Sequence, residues 1–276
     1  MKICRLILLL VNICIFNCVI GQEINSLDYR FVYEYVYKSD TISHKTKNDL
    51  FFLDVKHDKS VFYSYYTRES EIMRSTTEGK KKWRELFRAA VEKEGKNTNS
   101  FPHKRSTFKI WKNNTENVAY ITDNLGYKKF LYKDSIKNII WEIQDSVKWI
   151  NNIPVQSARC SYHGRKWNVW FAMDLPWQEG PWMLCGLPGL IIEAYDVNQH
   201  HRFTLIKIEE KTIDDFDVDR LEGELIDRKS FLKQKRKYLM NIGNRTATEL
   251  GIDGFSNKSE LKYNFLETDY DDIENN

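Results

Sequence analysis

Arg165 stands in the short turn His163-Gly164-Arg165, between two stretches rich in tryptophan, and Asp174 and Glu179 follow in the next loop. A guanidinium in that setting stacks on indole faces and pairs with a carboxylate. It therefore makes either an anion-binding or acid/base site, or a structural ion pair that pins the loop. Two carboxylates in one loop suit glycosidase-like chemistry when they lie at a defined separation. The rings of Trp170, Trp177 and Trp182 are the natural contact residues for a ligand or a protein partner. Other chemistry has less support. His200 and His201 are adjacent, so on a strand they point to opposite faces, and His163 has no ligand at metal spacing. No metal and no cofactor is implied. No Gly-x-Ser-x-Gly elbow is present, and no cysteine outside one pair, so nucleophilic catalysis has no signature.

That pair emerges from the N-terminus. Lys2 and Arg5 precede an apolar run from Leu6 to Ile20, and Val19 and Gly21 suit cleavage before Gln22. The run is about 15 residues, short of the roughly 20 that span a bilayer. Residues 1–21 thus read as a secretory signal peptide, and the protein is expected in the periplasm, at the outer-membrane periphery or outside the cell. Losing Lys2 and Arg5 takes the net charge from +3 to +1. Such a chain does not advertise nucleic acid or a membrane surface as partner. Cys4, Cys14 and Cys18 leave as well. Cys160 and Cys185 remain, and an oxidising compartment makes a disulfide between them the simplest expectation, stabilising by about 3 kcal/mol in the chain-entropy account.

The elements that must position these residues are mostly strands. Aromatic residues make up 14% of the chain, a composition that suits pleated surfaces. Tyr29, Phe31, Tyr33, Tyr35 and Tyr37 alternate perfectly and predict a strand over 28–38 with one aromatic face. Strands at 50–55 and 61–66 extend it into an antiparallel meander. Trp83, Leu86, Phe87, Ala90 and Val91 carry helical spacing, and this helix is expected to cover the sheet. Strands follow at 107–111, 118–122, 127–132, 138–143, around Cys160, and at 166–173, with 190–196 and 202–209 as a hairpin. A basic helix is predicted from Arg228 to Asn241, N-capped by Asp227. The acidic residues 267–276 read as a flexible tail. The prediction is a single mainly β domain over 22–266, with minor α: a curved antiparallel sheet or partly open barrel covered by one or two helices.

One ordered series carries a family resemblance: Trp141, Cys160, Gly164-Arg165, Trp170, Pro176, Gly180-Pro181 and Gly186-Leu187-Pro188-Gly189-Leu190-Ile191. It resembles the GLPGLI family of exported Bacteroidetes proteins, to which no activity is attached. The resemblance is dense from Ile136 to Asp196 and looser elsewhere. The surroundings of Cys160 depart from the family pattern, so a bond to Cys185 is an expectation for this chain alone. In the motif itself, Pro188 and Gly189 occupy the central positions of a type II turn, with a positive φ at Gly189. The turn either simply feeds a buried strand or lets a ligand approach bare backbone at Gly189. Three functions compete: a non-catalytic module for an apolar ligand or envelope partner, an interaction partner of an outer-membrane transport or export system, and a hydrolase with its site near Arg165, Asp174 and Glu179.

Overall fold

The computed structural model describes residues 28–39, 46–94, 103–213, 221–240 and 264–270. The expected signal peptide, the cleavage point at Gln22 and residues 271–276 lie outside them. Among the described residues, no helix is long and apolar enough to cross a membrane.

Twelve strands form one sheet: β1 Tyr29–Lys38, β2 Thr46–Lys56, β3 Lys59–Ser64, β4 Lys109–Asn113, β5 Val118–Leu125, β6 Lys128–Ser135, β7 Glu142–Ile150, β8 Ile153–Tyr162, β9 Arg165–Ala172, β10 Leu190–Asp196, β11 His201–Glu210 and β12 Glu224–Leu225. Their order is β12-β6-β5-β4-β3-β2-β1-β11-β10-β9-β8-β7. Every neighbouring pair is antiparallel except the short β12 on β6. The sheet is open at both ends, so the fold is mainly β with minor α, and the barrel alternative is set aside.

β1 lies near the middle of this sheet, between β2 and β11. Phe31, Tyr33 and Tyr35 are buried on one face, here called the inner face. Register carries that face across the neighbours. Leu53 and Phe51 stand opposite Phe31 and Tyr33 on β2, and Phe203 and Leu205 stand opposite Tyr35 and Tyr33 on β11. The rings pack as stacked or edge-on pairs, with Tyr35 on Phe203 at 4.2 Å and Phe51 on Phe62 at 4.4 Å. Each such pair contributes about 0.5–1.5 kcal/mol beyond its area burial.

Three helices complete the fold. α1 spans Tyr65–Arg74 and begins at Ser64, whose side chain accepts from Thr67 N at 3.3 Å. It replaces the expected end of the third strand: a serine N-cap outweighs the strand preference of Tyr65 and Tyr66. α2 spans Thr77–Glu94. Its apolar stripe was expected on the sheet, but it packs against α1 and leaves Leu86, Phe87 and Val91 about 40% exposed. α3 spans Arg228–Met240, and Asp227 caps it as expected, accepting from Ser230 N at 3.0 Å. Phe231 of α3 sits on Phe130 and Tyr132 of β6, which places this helix over the inner face.

Three further expectations are corrected. The strand placed at 138–143 starts later and runs to Ile150, because residues 136–141 lead into the edge rather than pairing. Glu267–Tyr270 is not a free tail. Glu267 is buried against Arg228 at 2.6 Å, and Thr268 N donates to His163 O at 3.0 Å. The disulfide is absent: Cys160 on β8 and Cys185 in the loop before β10 are both buried free thiols. Each sulfur is packed into the core, and burial pushes both thiols up to about 12.

Candidate functional site

The inner face, α3 and the strap Asn264–Glu267 enclose a cavity of about 340 Å³. Tyr35 and Tyr37 of β1, Ile110, Ile121 and Tyr132 of β4–β6, and His201 of β11 form its floor. Phe108 and Trp182 wall it, and Leu232 and Leu239 of α3 close the top. Register makes this possible. Tyr37 faces His201 across β1–β11, and Ile110 faces Ile121, which faces Tyr132.

The cavity carries both neutral and charged polar groups. Deep inside, Tyr35 Oη and His201 Nδ1 are 2.7 Å apart. Burial, with Arg165 nearby, holds His201 well below the usual histidine range, so its imidazole is neutral. Burial likewise raises Tyr35 well above the ordinary phenol value. The pair therefore presents uncharged groups at neutral pH. Charged groups line it too: Lys47, Arg105 and Lys235, and the buried carboxylates Asp123 and Glu267. Lys235 donates to Asp123 at 2.5 Å, and Asp123 also accepts from Thr107 Oγ1. Arg105 lies over the Tyr66 ring at 3.7 Å and donates to Asn48. An aromatic, largely apolar interior with a few orienting polar groups is the usual build of a small-molecule site.

The same sheet is found elsewhere. Over 77% of its length this chain is similar to PNGF-II, solved in the P21 and the C2 space groups, at TM-scores of 0.53 and 0.52 and 12% identity. The matched region spans about a third of PNGF-II, 34% and 33% of those chains. At this identity the likeness to PNGF-II concerns the fold alone. No family model matches the chain, and no curated protein sequence does.

Of the candidate contact residues Arg165, Trp170, Trp177, Trp182 and Gly189, only Trp182 lines the cavity. It is buried to 2% exposure and held at φ +54°, so it is no exposed anchor. Trp177 packs edge-on against Tyr29 at 4.6 Å and Phe31 at 5.2 Å. Trp170 is on the outer face beneath Lys148, whose Nζ is 4.2 Å above the ring. Arg165, Asp174 and Glu179 have separate surroundings. Asp174 is exposed. Glu179 is buried on Lys112 at 2.5 Å and accepts from Asn114 at 2.8 Å. Arg165 does not reach the 174–182 loop. Its guanidinium pairs with Asp196 at 3.1 Å and donates to Asn264 Oδ1 and to the carbonyls of Phe265 and Leu266. Arg165 is thus a clamp on the strap that roofs the cavity.

Gly189 is corrected as well. The positive φ belongs to Gly186, at +87°, and not to Gly189. A Cβ on Gly189 would stand 2.1 Å from Ala172 O, whereas one on Gly186 meets nothing within 4 Å. The motif brings its bare backbone against the chain itself, and it feeds the buried strand Leu190-Ile191-Ile192.

A second polar cluster was invisible in sequence. Asp134, His163 and Glu267 bring their ligand atoms within 4.8 Å of one another. Arg228 supplies positive charge there, 2.6 Å from Glu267, 2.6 Å from Asp269 and 3.4 Å from Asp134. Burial alone would lower His163, but its bonds to Asp134 and Asp269 outweigh burial and lift it to about 9. The cluster is a charge-paired clasp between β6, the β8–β9 turn, α3 and the strap. His201, Asp123 and Lys235 were also missed as site residues. The aromatic alternation of β1 marks Tyr37, but nothing local marks the others.

Proposed function

We propose that this protein is an exported, non-catalytic binding module whose inner-face cavity holds a mainly apolar small ligand. The observation that carries the reading is the cavity itself: about 340 Å³, lined by Tyr35, Tyr37, Tyr132 and Trp182, with its buried carboxylates Asp123 and Glu267 neutralised by Lys235 and Arg228. A neutral Tyr35–His201 pair inside orients a ligand without asking it to carry charge. The N-terminal pattern of residues 1–21 supports export to the cell envelope or beyond, and the ordered series ending in GLPGLI supports membership of that exported family.

Native mass spectrometry of protein purified from its own cell envelope tests this. The expected result is a co-purified small molecule that is lost from Leu232→Trp, a variant that fills the cavity. A wild-type protein that carries nothing, and that takes up no apolar fluorescent probe, refutes the reading.

A protein partner is favoured by one observation of its own. β7 is an edge strand, and Ile143, Val147 and Trp149 on it are 49%, 64% and 71% exposed. Open strand edges with apolar side chains accept a further strand. Photo-crosslinking from position 149 in envelope preparations tests that reading, which fails if no adduct forms.

A further inference from the structure

The outer face of the sheet carries a second cleft, of about 470 Å³, whose lining shares only Thr107 with the inner cavity. Cross-strand register builds it. Tyr63 stands opposite Lys109, and Lys109 stands opposite Thr122. Asn124 stands opposite Lys129 on the next pair. Arg68 reaches in from α1 and lies 5.0 Å over the Tyr63 ring.

The cations and carboxylates of this cleft do not balance. Arg30 is committed to Asp54 at 2.6 Å, with Tyr63 Oη bonded to both. Glu71 is committed to Lys104 at 2.6 Å, and Glu222 lies 4.0 Å from Lys129. Among the described residues, Arg68 and Lys109 have no carboxylate at ion-pair distance. Their close contacts are with rings: Arg68 lies over Tyr63, and Lys109 Nζ is 4.4 Å from Trp111 and 5.6 Å from Tyr63, with Glu71 and Asp54 attracting it from beyond ion-pair distance. Burial, with Arg68 and Lys129 next, pulls Lys109 down to about 8. A half-buried ammonium without an anion is costly to keep, and an incoming anion recovers that cost.

We propose that this outer cleft is a binding site for a small ligand bearing a phosphate or sulfate monoester, with the oxyanion held between Arg68, Lys109 and Lys129. Trp111 and Tyr63 supply ring faces beside the charge, and Thr122 and Asn124 supply neutral donors. Guanidinium and ammonium groups together give the forked and point-charge hydrogen bonds that such an oxyanion accepts. The site is independent of the inner cavity, and either can stand without the other.

Isothermal titration of the purified full chain tests it, with inorganic phosphate, inorganic sulfate, glucose 6-phosphate, glucose 6-sulfate and glucose as probes. The expected result is saturable binding of at least one phosphate or sulfate probe and none of glucose. The stronger of the two monoesters identifies the oxyanion. Lys109→Gln and Arg68→Gln should each weaken binding roughly tenfold, the scale of one charge-assisted hydrogen bond, while Lys137→Gln, exposed and outside both the cleft and the cavity, leaves it unchanged. The folded state of each variant is checked by its melting curve. Binding that ignores both cleft variants, or no saturation at millimolar probe, overturns the proposal. The sequence between the cleft residues Ile213 and Leu221 includes Asp214, Asp215, Asp217 and Asp219, so a chain with these as Asn is titrated in parallel. Binding seen only in that chain also overturns the proposal, because the cleft's partner is then the protein itself.

Discussion

Lys112 Nζ and Glu179 Oε2 lie 2.5 Å apart with side chains 0% and 3% exposed, so the inner face of β4 and the loop before the GLPGLI motif share one buried ion pair. Lys112 also donates to Gly180 O at 3.1 Å, which fixes the loop backbone as well as its side chain. Removing one partner strands a charge in the core. Lys112→Met should destabilise by about 3–5 kcal/mol, whereas the double change Lys112→Met with Glu179→Leu should recover most of it. Urea melts of the three proteins decide: equal losses in the single and the double variant would refute the pairing.

Gly189 and Gly186 separate close approach from backbone strain. Gly189→Ala forces a methyl into the Ala172 carbonyl and should cost about 3 kcal/mol or more. Gly186→Ala meets open space and only the left-handed backbone cost, about 1 kcal/mol. Melting temperatures that rank the two the other way would show that φ, and not contact, selects glycine in this motif.

Arg165→Lys keeps a charge but loses the planar fork that reaches Asp196, Asn264 and two carbonyls. One ammonium cannot replace that spread of donors. The strap 264–270 should then exchange its amide hydrogens faster, with a loss on the order of 2 kcal/mol. Hydrogen exchange in that peptide that matches the wild type would remove Arg165 from this role.

His163 makes stability depend on pH. Its value is raised in the folded state, to about 9, above the roughly 6.5 of an unfolded histidine. The contribution is therefore complete below about pH 6.5 and is lost as pH rises through about 9, on the order of 3 kcal/mol in all. Asp269 acts in the opposite sense. His163 and Arg228 outweigh its burial and hold its carboxyl well below the usual range, so its share is lost as pH falls below that of an unfolded aspartate. Urea midpoints at pH 6 and pH 9.5 should differ in the wild type and converge in His163→Gln. A parallel drop in both proteins would assign the effect elsewhere.

The free thiols give a chemical test. With both values pushed up to about 12 by burial, Cys160 and Cys185 should resist iodoacetamide at pH 8 in the native protein and react fully in urea. Rapid native labelling of either would contradict its burial.

Local pattern revealed what local pattern controls. The alternation from Tyr29 to Tyr37, the hairpin of β10 and β11 and the Asp227 cap are each decided by neighbours in sequence, and each is found. The helical spacing of Trp83, Leu86 and Phe87 named the element but not its partner, since periodicity states which face is apolar and not what covers it. Arg165 shows the wider limit. Its guanidinium meets Asn264 and Phe265, some hundred residues away, while Asp174 and Glu179 were simply nearer in the chain. The inner cavity has the same origin: Tyr35 and His201 are 166 positions apart, and no spacing rule brings them together. The paired cysteines misled for a related reason, because compartment and even number argue for a bond only where geometry permits one.

β1 pairs with β2 on one side and with β11 on the other, and Tyr33 reaches Ile191 across 158 residues of sequence. During synthesis the aromatic row of β1 therefore emerges well ahead of β11, with Tyr35 and His201 separated by 166 positions, before its second edge is satisfied. Contacts of such long range form slowly, and an unpaired apolar strand is a template for the wrong neighbour in the meantime. A chain stopped before His201 has every residue of β1 through β10 and still lacks the strand that joins its two halves. For this protein, aggregation of incomplete or delayed chains should begin at Tyr29–Lys38, and a holdase that shields that one segment would protect the whole sheet.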